Sequence, residues 1–298
     1  MTSTNGRQGE RGYPNSSALQ TAGKIVRGLD SIHPALASAV VNTLFRMPFS
    51  KSPTPAERAA LDGADRMDLP FRSRSLAAYA WGTGPTVLLI HGWASNAGAM
   101  RHLVEPLVKK GFRVVAFDAP AHGSSPGRTS DAVEYGSAIR EAIQFFAPVH
   151  GIFAHSFGAT STLLMLSESD DLPIAAVVVN NPPLELEMLL RIFAASLALP
   201  EHLVHRIYDH VKKRFGKPVE YFSLRERIRS VRIPGLLIAD RDDRLATFED
   251  SELIASRWAR GQLFTTEGLG HQGALRDGEV IEEIASYFKE RLQSRTVA

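Results

Sequence analysis

The sequence of 298 residues contains no cysteine. This absence excludes disulfides, thiolate metal sites and a cysteine nucleophile. A chain without thiols fits a reducing compartment, and we therefore expect a cytoplasmic protein.

Long apolar runs are absent as well. No run approaches the roughly 18 residues that span a bilayer, and the longest, Val87–Ile90 and Ala175–Val179, have the length of strands. Residues 1–17 are polar, rich in Gly and Ser, and lack the apolar core of a secretory signal. We predict a disordered N-terminal tail over residues 1–17 and no integral membrane segment.

A strong excess of one charge is also lacking. The chain has 34 Lys and Arg against 32 Asp and Glu, a net charge of +2. A nucleic-acid-binding protein normally shows a concentrated basic face, so no nucleic-acid partner is expected. Hydrophobic residues make up 44% of the chain, which is enough for a sizeable core.

From residue 69 onward, short apolar runs alternate with helical patterns. Runs that are apolar throughout indicate strands buried on both faces, and their alternation with helices favours a parallel arrangement. The sequence predicts an α/β fold, in which a mostly parallel central sheet is flanked by helices. Seven strands are expected, at Ser75–Trp81, Thr86–His91, Arg113–Asp118, Gly151–Ala154, Ala175–Asn180, Gly235–Ala239 and Leu263–Thr266.

Two segments depart from this alternation. Residues 18–68 form a predicted N-terminal helical extension, with a helical pattern over Ala18–Met47 and a short helix at Pro55–Leu61 that Thr54 caps. The simplest interpretation is a helix packed on the outside of the domain. A role in dimerisation or at a membrane surface is the alternative, so a homo-oligomer stays compatible with the sequence.

The second segment lies inside the predicted domain of residues 69–298. Helical patterns at Leu184–Leu199 and Glu201–Phe215 precede a strand-like run at Val219–Phe222. Ligands bind beyond the carboxyl ends of parallel strands, and this insertion follows such an end. We predict a helical lid over about residues 183–222, with Leu184 and Met188 lining the substrate pocket. Two ordinary covering helices are the alternative.

The pentapeptide Ala154-His155-Ser156-Phe157-Gly158 lies between a predicted strand and a predicted helix. A serine nucleophile is held in a sharp strand-to-helix turn, and small residues two positions away on each side allow that close packing. Ala154 replaces the usual first glycine. The alternative is an N-cap serine on an ordinary helix. We predict Ser156 as the nucleophile.

A serine nucleophile needs a histidine base and a carboxylate partner. His271 stands in a glycine-flanked loop after the last predicted strand. Three aspartates compete for the acid in the loop that follows Gly235–Ala239, and the order Ser, Asp, His together with the turn position favours Asp243 over Asp242 and Asp240.

The oxyanion of the reaction needs two backbone N–H donors. His91-Gly92-Trp93 ends a predicted strand, so Trp93 and Phe157 are the expected donors. The Trp93 ring and His155 are expected beside the substrate.

In these pieces the sequence resembles the α/β-hydrolase superfamily over nearly all of residues 70–295. The matching pieces are His91-Gly92-Trp93, the loop Asp118–Ser125, Ala154–Gly158, the aspartates at 240–243 and Gly270-His271. Two positions depart from the family pattern, Ala154 in the turn and Asp240, where relatives often have glycine. We interpret His122 in the Asp118–Ser125 loop as structural.

The resemblance implies hydrolysis of a carboxylic ester by a Ser-His-Asp triad, without a cofactor or metal. The small-molecule substrate would carry an acyl group of small to medium size. A thioesterase, lactonase or C–C hydrolase would use the same residues. A non-catalytic small-molecule-binding protein of the same fold is the alternative from another class.

Overall fold

The computed structural model describes residues 17–49, 52–169 and 172–293. Of the predicted tail, residues 1–16 lie outside the described residues, and Ser17 begins the first helix.

The described chain contains eight strands and twelve α-helices. The strands are β1 (Asp65–Phe71), β2 (Arg74–Trp81), β3 (Thr86–Ile90), β4 (Arg113–Phe117), β5 (Val149–His155), β6 (Ala176–Asn180), β7 (Gly235–Asp240) and β8 (Gly261–Thr266). The helices are α1 (Ser17–Ile32), α2 (Pro34–Phe45), α3 (Pro55–Asp62), α4 (Arg101–Lys109), α5 (Ala132–Phe145), α6 (Phe157–Ser167), α7 (Leu186–Ser196), α8 (Glu201–Phe215), α9 (Leu224–Arg227), α10 (Phe248–Arg257), α11 (Gly270–Gly273) and α12 (Gly278–Gln293).

All eight strands join one sheet in the order β1-β2-β4-β3-β5-β6-β7-β8. The pairs β1–β2 and β2–β4 are antiparallel, and every later pair is parallel. Strands β3 and β6 are buried along their whole length, because helices cover both faces. The expected mostly parallel α/β sheet is confirmed.

Strand β1 was not predicted from the sequence. It forms a hairpin with β2, and its inward side chains Leu69 and Phe71 are buried. The predicted domain boundary at residues 68 and 69 therefore falls inside a strand of the sheet.

Two apolar cores fill the faces of the sheet. One lies under α5, α6 and α10, and the other under α4 and α12. The carboxyl ends of β3, β5, β6 and β7 meet at one edge, which is where the loops of the candidate site begin. Within the described residues, no helix combines the length and apolar character needed to cross a membrane.

A third apolar core lies apart from the sheet. It joins the N-terminal helices to the insertion: Val26 and Val41 of α1 and α2 are buried against Phe193 and Ile207 of α7 and α8. We call these four helices the cap. The apolar face of the N-terminal extension therefore meets the insertion.

The insertion leaves and rejoins the domain through a narrow neck. Glu185 and Ser223 form an antiparallel bridge, and the Leu224 N–H donates to the Leu184 carbonyl at 2.8 Å. The run Val219–Phe222, expected as a strand, is a 3-10 turn that follows Pro218.

Candidate active site

Ser156 occupies the turn between β5 and α6 with φ of 54° and ψ of −126°. A residue other than glycine rarely adopts this left-handed backbone conformation, and such strain is typical of functional positions. Ala154 is fully buried two residues earlier. Position 158 requires glycine, because the backbone of His91 lies so close that a Cβ there would overlap its carbonyl oxygen.

The structure brings Ser156, His271 and Asp243 together in series. The Ser156 hydroxyl donates to Nε2 of His271 at 2.7 Å, and Nδ1–H of His271 donates to Oδ2 of Asp243 at 2.7 Å. Asp243 Oδ1 accepts the backbone N–H groups of Leu245 and Ala246 at 2.8 and 3.0 Å. The carboxylate is therefore held on both oxygens, and the imidazole is held on both nitrogens.

Asp240 and Asp242 have different contacts. Asp240 accepts the backbone N–H groups of Leu269 and Gly270 at 3.0 and 2.9 Å and the Thr266 hydroxyl at 2.7 Å. Asp242 accepts the Gly268 N–H at 2.9 Å. Both side chains fix the loop that carries His271 and neither one touches the imidazole.

The pKa of Asp240 reflects two opposing causes. Burial alone would raise it, but the hydrogen bonds from Thr266, Gly270, Asp242 and Leu269 together hold the pKa below its ordinary value. The carboxylate is thus charged at neutral pH.

Two asparagines at the end of β6 were missed by the sequence reasoning. Asn181 Nδ2 donates to the His271 carbonyl at 3.1 Å, and its Oδ1 accepts the Asp240 N–H at 3.2 Å. Asn180 contacts His155 Nδ1 at 2.9 Å. The available signal was two amide side chains directly after a buried strand, at the same sheet edge as Ser156.

His91-Gly92-Trp93 lies directly beside the serine. A Cβ on Gly92 would be 3.2 Å from the Ser156 Cβ, which is tighter than ordinary van der Waals contact. The segment therefore passes closer to the serine than a side chain at position 92 would readily allow. The rings of Trp93 and Phe157 are in contact, with centroids 4.8 Å apart. Phe157 is the first residue of α6, and its N–H has no acceptor inside that helix.

His91 and His122 are buried, and each contacts a backbone group. Nε2 of His91 accepts the Ala119 N–H at 3.1 Å, which joins the ends of β3 and β4. Burial, helped by His122, lowers the pKa of His91 to about 3. His122 is fully buried with Nδ1 on the Pro120 carbonyl, and burial lowers its pKa to about 4.

Above Ser156 lies a cavity of about 510 Å³, a size typical of sites for small molecules. Ser156, His271, Trp93 and His155 line its floor. The cap supplies much of its apolar wall, through Phe45, Leu186, Leu189, Leu190, Ile192, Val211 and Phe215, and Phe49 in the loop after α2 adds to it.

Two predicted pocket residues are placed elsewhere. Leu184 is buried in the core beneath the neck, and Met188 is not among the residues that line the cavity. Leu186, Leu189 and Leu190 line it instead. These three share one face of α7 by helical spacing, whereas Met188 lies on another face.

A model of the alpha/beta hydrolase family matches residues 87–284. The chain belongs to the alpha/beta hydrolase family. The matched range contains Ser156, Asp243 and His271.

Similar proteins include a serine hydrolase-like protein and an esterase. A human serine hydrolase-like protein is 36% identical over 110 residues, which are 35% of this chain and 54% of that protein. A pimeloyl-[acyl-carrier protein] methyl ester esterase of Methylococcus capsulatus is 37% identical over 83 residues, 28% of this chain and 31% of the esterase. The chain spans about half or less of the length of these relatives.

Among solved structures, the esterase Pf2001 of Pyrococcus furiosus superposes with a TM-score of 0.63 at 23% identity. The alignment covers 83% of this chain and 98% of that esterase. This likeness establishes the shared alpha/beta hydrolase fold. Within the described residues, no cluster of three or more His, Asp or Glu side chains could hold a metal ion.

Proposed function

We propose that the protein is a serine hydrolase that cleaves carboxylic esters. The observation that carries this proposal is the hydrogen-bonded series Ser156–His271–Asp243 at the floor of a largely apolar cavity. The esterase among the relatives supports ester bonds as the target.

In the first step, His271 takes the hydroxyl proton of Ser156 as the serine oxygen attacks the ester carbonyl. Asp243 keeps the imidazole proton on Nδ1 and stabilises the imidazolium that forms. The N–H groups of Trp93 and Phe157 donate to the oxyanion of the tetrahedral intermediate. His271 then gives its proton to the departing alcohol oxygen, which leaves an acyl-enzyme on Ser156.

In the second step, His271 accepts a proton from a water molecule that attacks the acyl-enzyme. The bond between the Ser156 oxygen and the acyl carbon then breaks, and His271 returns the proton to that oxygen, so the acid departs and the Ser156 hydroxyl is restored. A cavity of about 510 Å³ with an apolar wall suits an acyl group of small to medium size. Thioesters and lactones present the same carbonyl to the same residues.

Covalent labelling with a fluorophosphonate tests the proposal. We expect rapid labelling of the wild-type protein and none of Ser156→Ala, followed by turnover of p-nitrophenyl esters that depends on acyl length. Ser161→Ala is a matched control, since Ser161 is buried on α6 and does not line the cavity. An unlabelled wild-type protein, or equal labelling of Ser156→Ala, would instead favour a binding protein of this fold.

A further inference from the structure

The cavity has a second polar region, where the N-terminal extension meets the beginning of α5. Arg46, Ser130 and Asp131 all line the cavity there. The Ser130 N–H donates to the Arg46 carbonyl at 2.8 Å, so the backbone itself joins the two segments. Neither Arg46 nor Ser130 has a role in the proposed ester hydrolysis.

The charge of this region is positive. Oδ2 of Asp131 accepts from both Arg46, at 3.0 Å, and Arg214 of α8, at 3.2 Å. Its Oδ1 accepts the Glu134 N–H at 2.9 Å and caps α5. Both oxygens of the Asp131 carboxylate are thus already hydrogen-bonded. Because two guanidinium groups share this one carboxylate, Arg46, Arg214 and Asp131 together carry one net positive charge.

A neighbouring histidine adds no positive charge to this region. Burial, with the Arg46 and Arg214 guanidiniums and the Lys213 ammonium, lowers the pKa of His210, while Asp131 opposes this shift. The imidazole is therefore neutral near pH 7.

Two buried polar atoms of this region have no hydrogen-bond partner in the described part of the chain. They are Oγ of Ser130, a residue with 0% of its surface exposed, and Nε of Arg46. Buried polar groups in native proteins are nearly always paired, with protein, water or ligand. The beginning of α5, a helix of 14 residues, adds the partial positive charge of its N-terminus.

We propose that Arg46 and Ser130 form a subsite for a carboxylate, so that the preferred substrates are monoesters of dicarboxylic acids. This inference rests on the proposed ester hydrolysis for its chemistry. Both donors are covered in the structure, and a small movement of the two side chains toward the cavity lets Nε–H of Arg46 and the Ser130 hydroxyl donate to the distal carboxylate. Asp131 stays paired with the two arginines. Phe45, Val211 and Phe215 of the cap line the same cavity and cover the methylene chain.

The specificity would then be set by the end of the substrate that does not react. The N-terminal extension supplies Arg46, and a catalytic domain without it would lose the charge that selects the substrate. Hydrogen bonds to a charged group are the stronger kind, and one such bond changes binding by about ten- to a hundredfold.

The experiment measures binding by calorimetry to Ser156→Ala, which cannot turn the ligands over. The ligands are the monomethyl esters of dicarboxylic acids from succinate to sebacate. For each, two neutral analogues replace the carboxylate with an isopropyl group or a carboxamide. At the best length we expect the carboxylate to bind at least about tenfold more tightly than either analogue.

Ser130→Ala, made in the same background, should remove most of that preference. The Ser130 hydroxyl has no partner among the residues that the structure describes, so the fold should be unaffected. Ser161→Ala is the matched control, because its hydroxyl is also buried and unpartnered within the described residues but does not line the cavity. Arg46→Gln should lower the affinity for the carboxylate further and leave that for the isopropyl analogue within about twofold.

The outcomes separate the two proposals. Equal binding of carboxylate and isopropyl ligands, equal binding of carboxylate and carboxamide, or equal effects of Ser130→Ala and Ser161→Ala would overturn the carboxylate subsite. If the wild-type protein hydrolyses the esters without a carboxylate preference, the hydrolase proposal stands alone. If the carboxylates bind selectively and the wild-type protein neither hydrolyses them nor is labelled by fluorophosphonate, the subsite stands and the hydrolase proposal fails.

Discussion

Replacing Asp243 by asparagine tests the roles of the three aspartates after β7. The amide oxygen can still accept the N–H groups of Leu245 and Ala246, which Oδ1 accepts at 2.8 and 3.0 Å. The amide NH₂ then faces Nδ1 of His271, which must become an acceptor. The imidazole proton moves to Nε2, and Nε2 can no longer take the proton of Ser156.

The expected loss is about 10⁴-fold in kcat, the size of effect seen where an asparagine forces the wrong tautomer. At about 1.36 kcal/mol for each factor of ten, this equals about 5 kcal/mol of transition-state stabilisation. The fold should be preserved, because the hydrogen bonds that Asp243 makes to its own loop survive.

Asp242→Asn is the matched control. Asp242 contacts the Gly268 N–H at the outer part of the loop, and we expect kcat within about fivefold of wild type, since a lone hydrogen bond at an exposed site contributes about 1 kcal/mol or less. The assay is kcat and KM on p-nitrophenyl butyrate, with the unfolding temperature measured in parallel. If Asp243→Asn keeps more than a tenth of wild-type kcat, or if Asp242→Asn falls as far, the assignment of the acid is wrong.

Three further predictions concern the frame of the site. Hydrogen bonds hold the pKa of Asp240 below its ordinary value of 3.8, so its contribution to stability is present above that pH and is lost as the pH falls through the lower folded value. The urea midpoint of Asp240→Asn should therefore decline less on acidification than the midpoint of the wild-type protein. An identical decline of the two midpoints would contradict this. Gly158→Ala would place a methyl group against the His91 carbonyl and should lower the free energy of unfolding by about 3 kcal/mol in urea melts, whereas an unchanged midpoint would refute the close packing. Arg27→Ala removes hydrogen bonds of 2.7 and 2.9 Å to the carbonyls of Leu197 and Ala198, just after α7. Their loss should destabilise the cap by about 1 kcal/mol, so limited proteolysis should cut the cap several times faster. An unaltered cleavage rate would show that the contact is dispensable.

The sheet was largely predictable, because its central strands are apolar along their whole length. β1 was missed for a physical reason. It is an edge strand whose outward residues are Arg66, Asp68 and Pro70, two charged residues and a proline that is rare in strands. The alternation of Met67, Leu69 and Phe71 is the signal that a half-buried edge strand leaves in a sequence.

The cap could be predicted only in part. Helical spacing indicated that Ala18–Met47 and the insertion each have an apolar face. Periodicity alone does not predict which other segment packs against that face. His33 and Pro34 also divide the first pattern into two helices, with Pro34 at the first helical position of α2. The pairing of two segments more than a hundred residues apart required the structure.

The candidate site shows the same division. Motif order proposed Ser156, His271 and Asp243, and the structure places their side chains in hydrogen-bond contact. The anchoring roles of Asp240 and Asn181 depend on which backbone N–H and carbonyl groups face them. Such contacts across loops are set by tertiary structure and leave no periodic pattern in the chain.

The composite cap has a consequence for synthesis on the ribosome. Arg27 and its acceptor on Leu197 are separated by 170 residues. At about 5–20 residues per second, the helices α1 and α2 wait roughly ten to thirty seconds before their partner segment is made. During that interval an apolar helical hairpin is exposed to other chains. Newly made protein should therefore depend on chaperones that bind amphipathic helices more than its modest size would suggest.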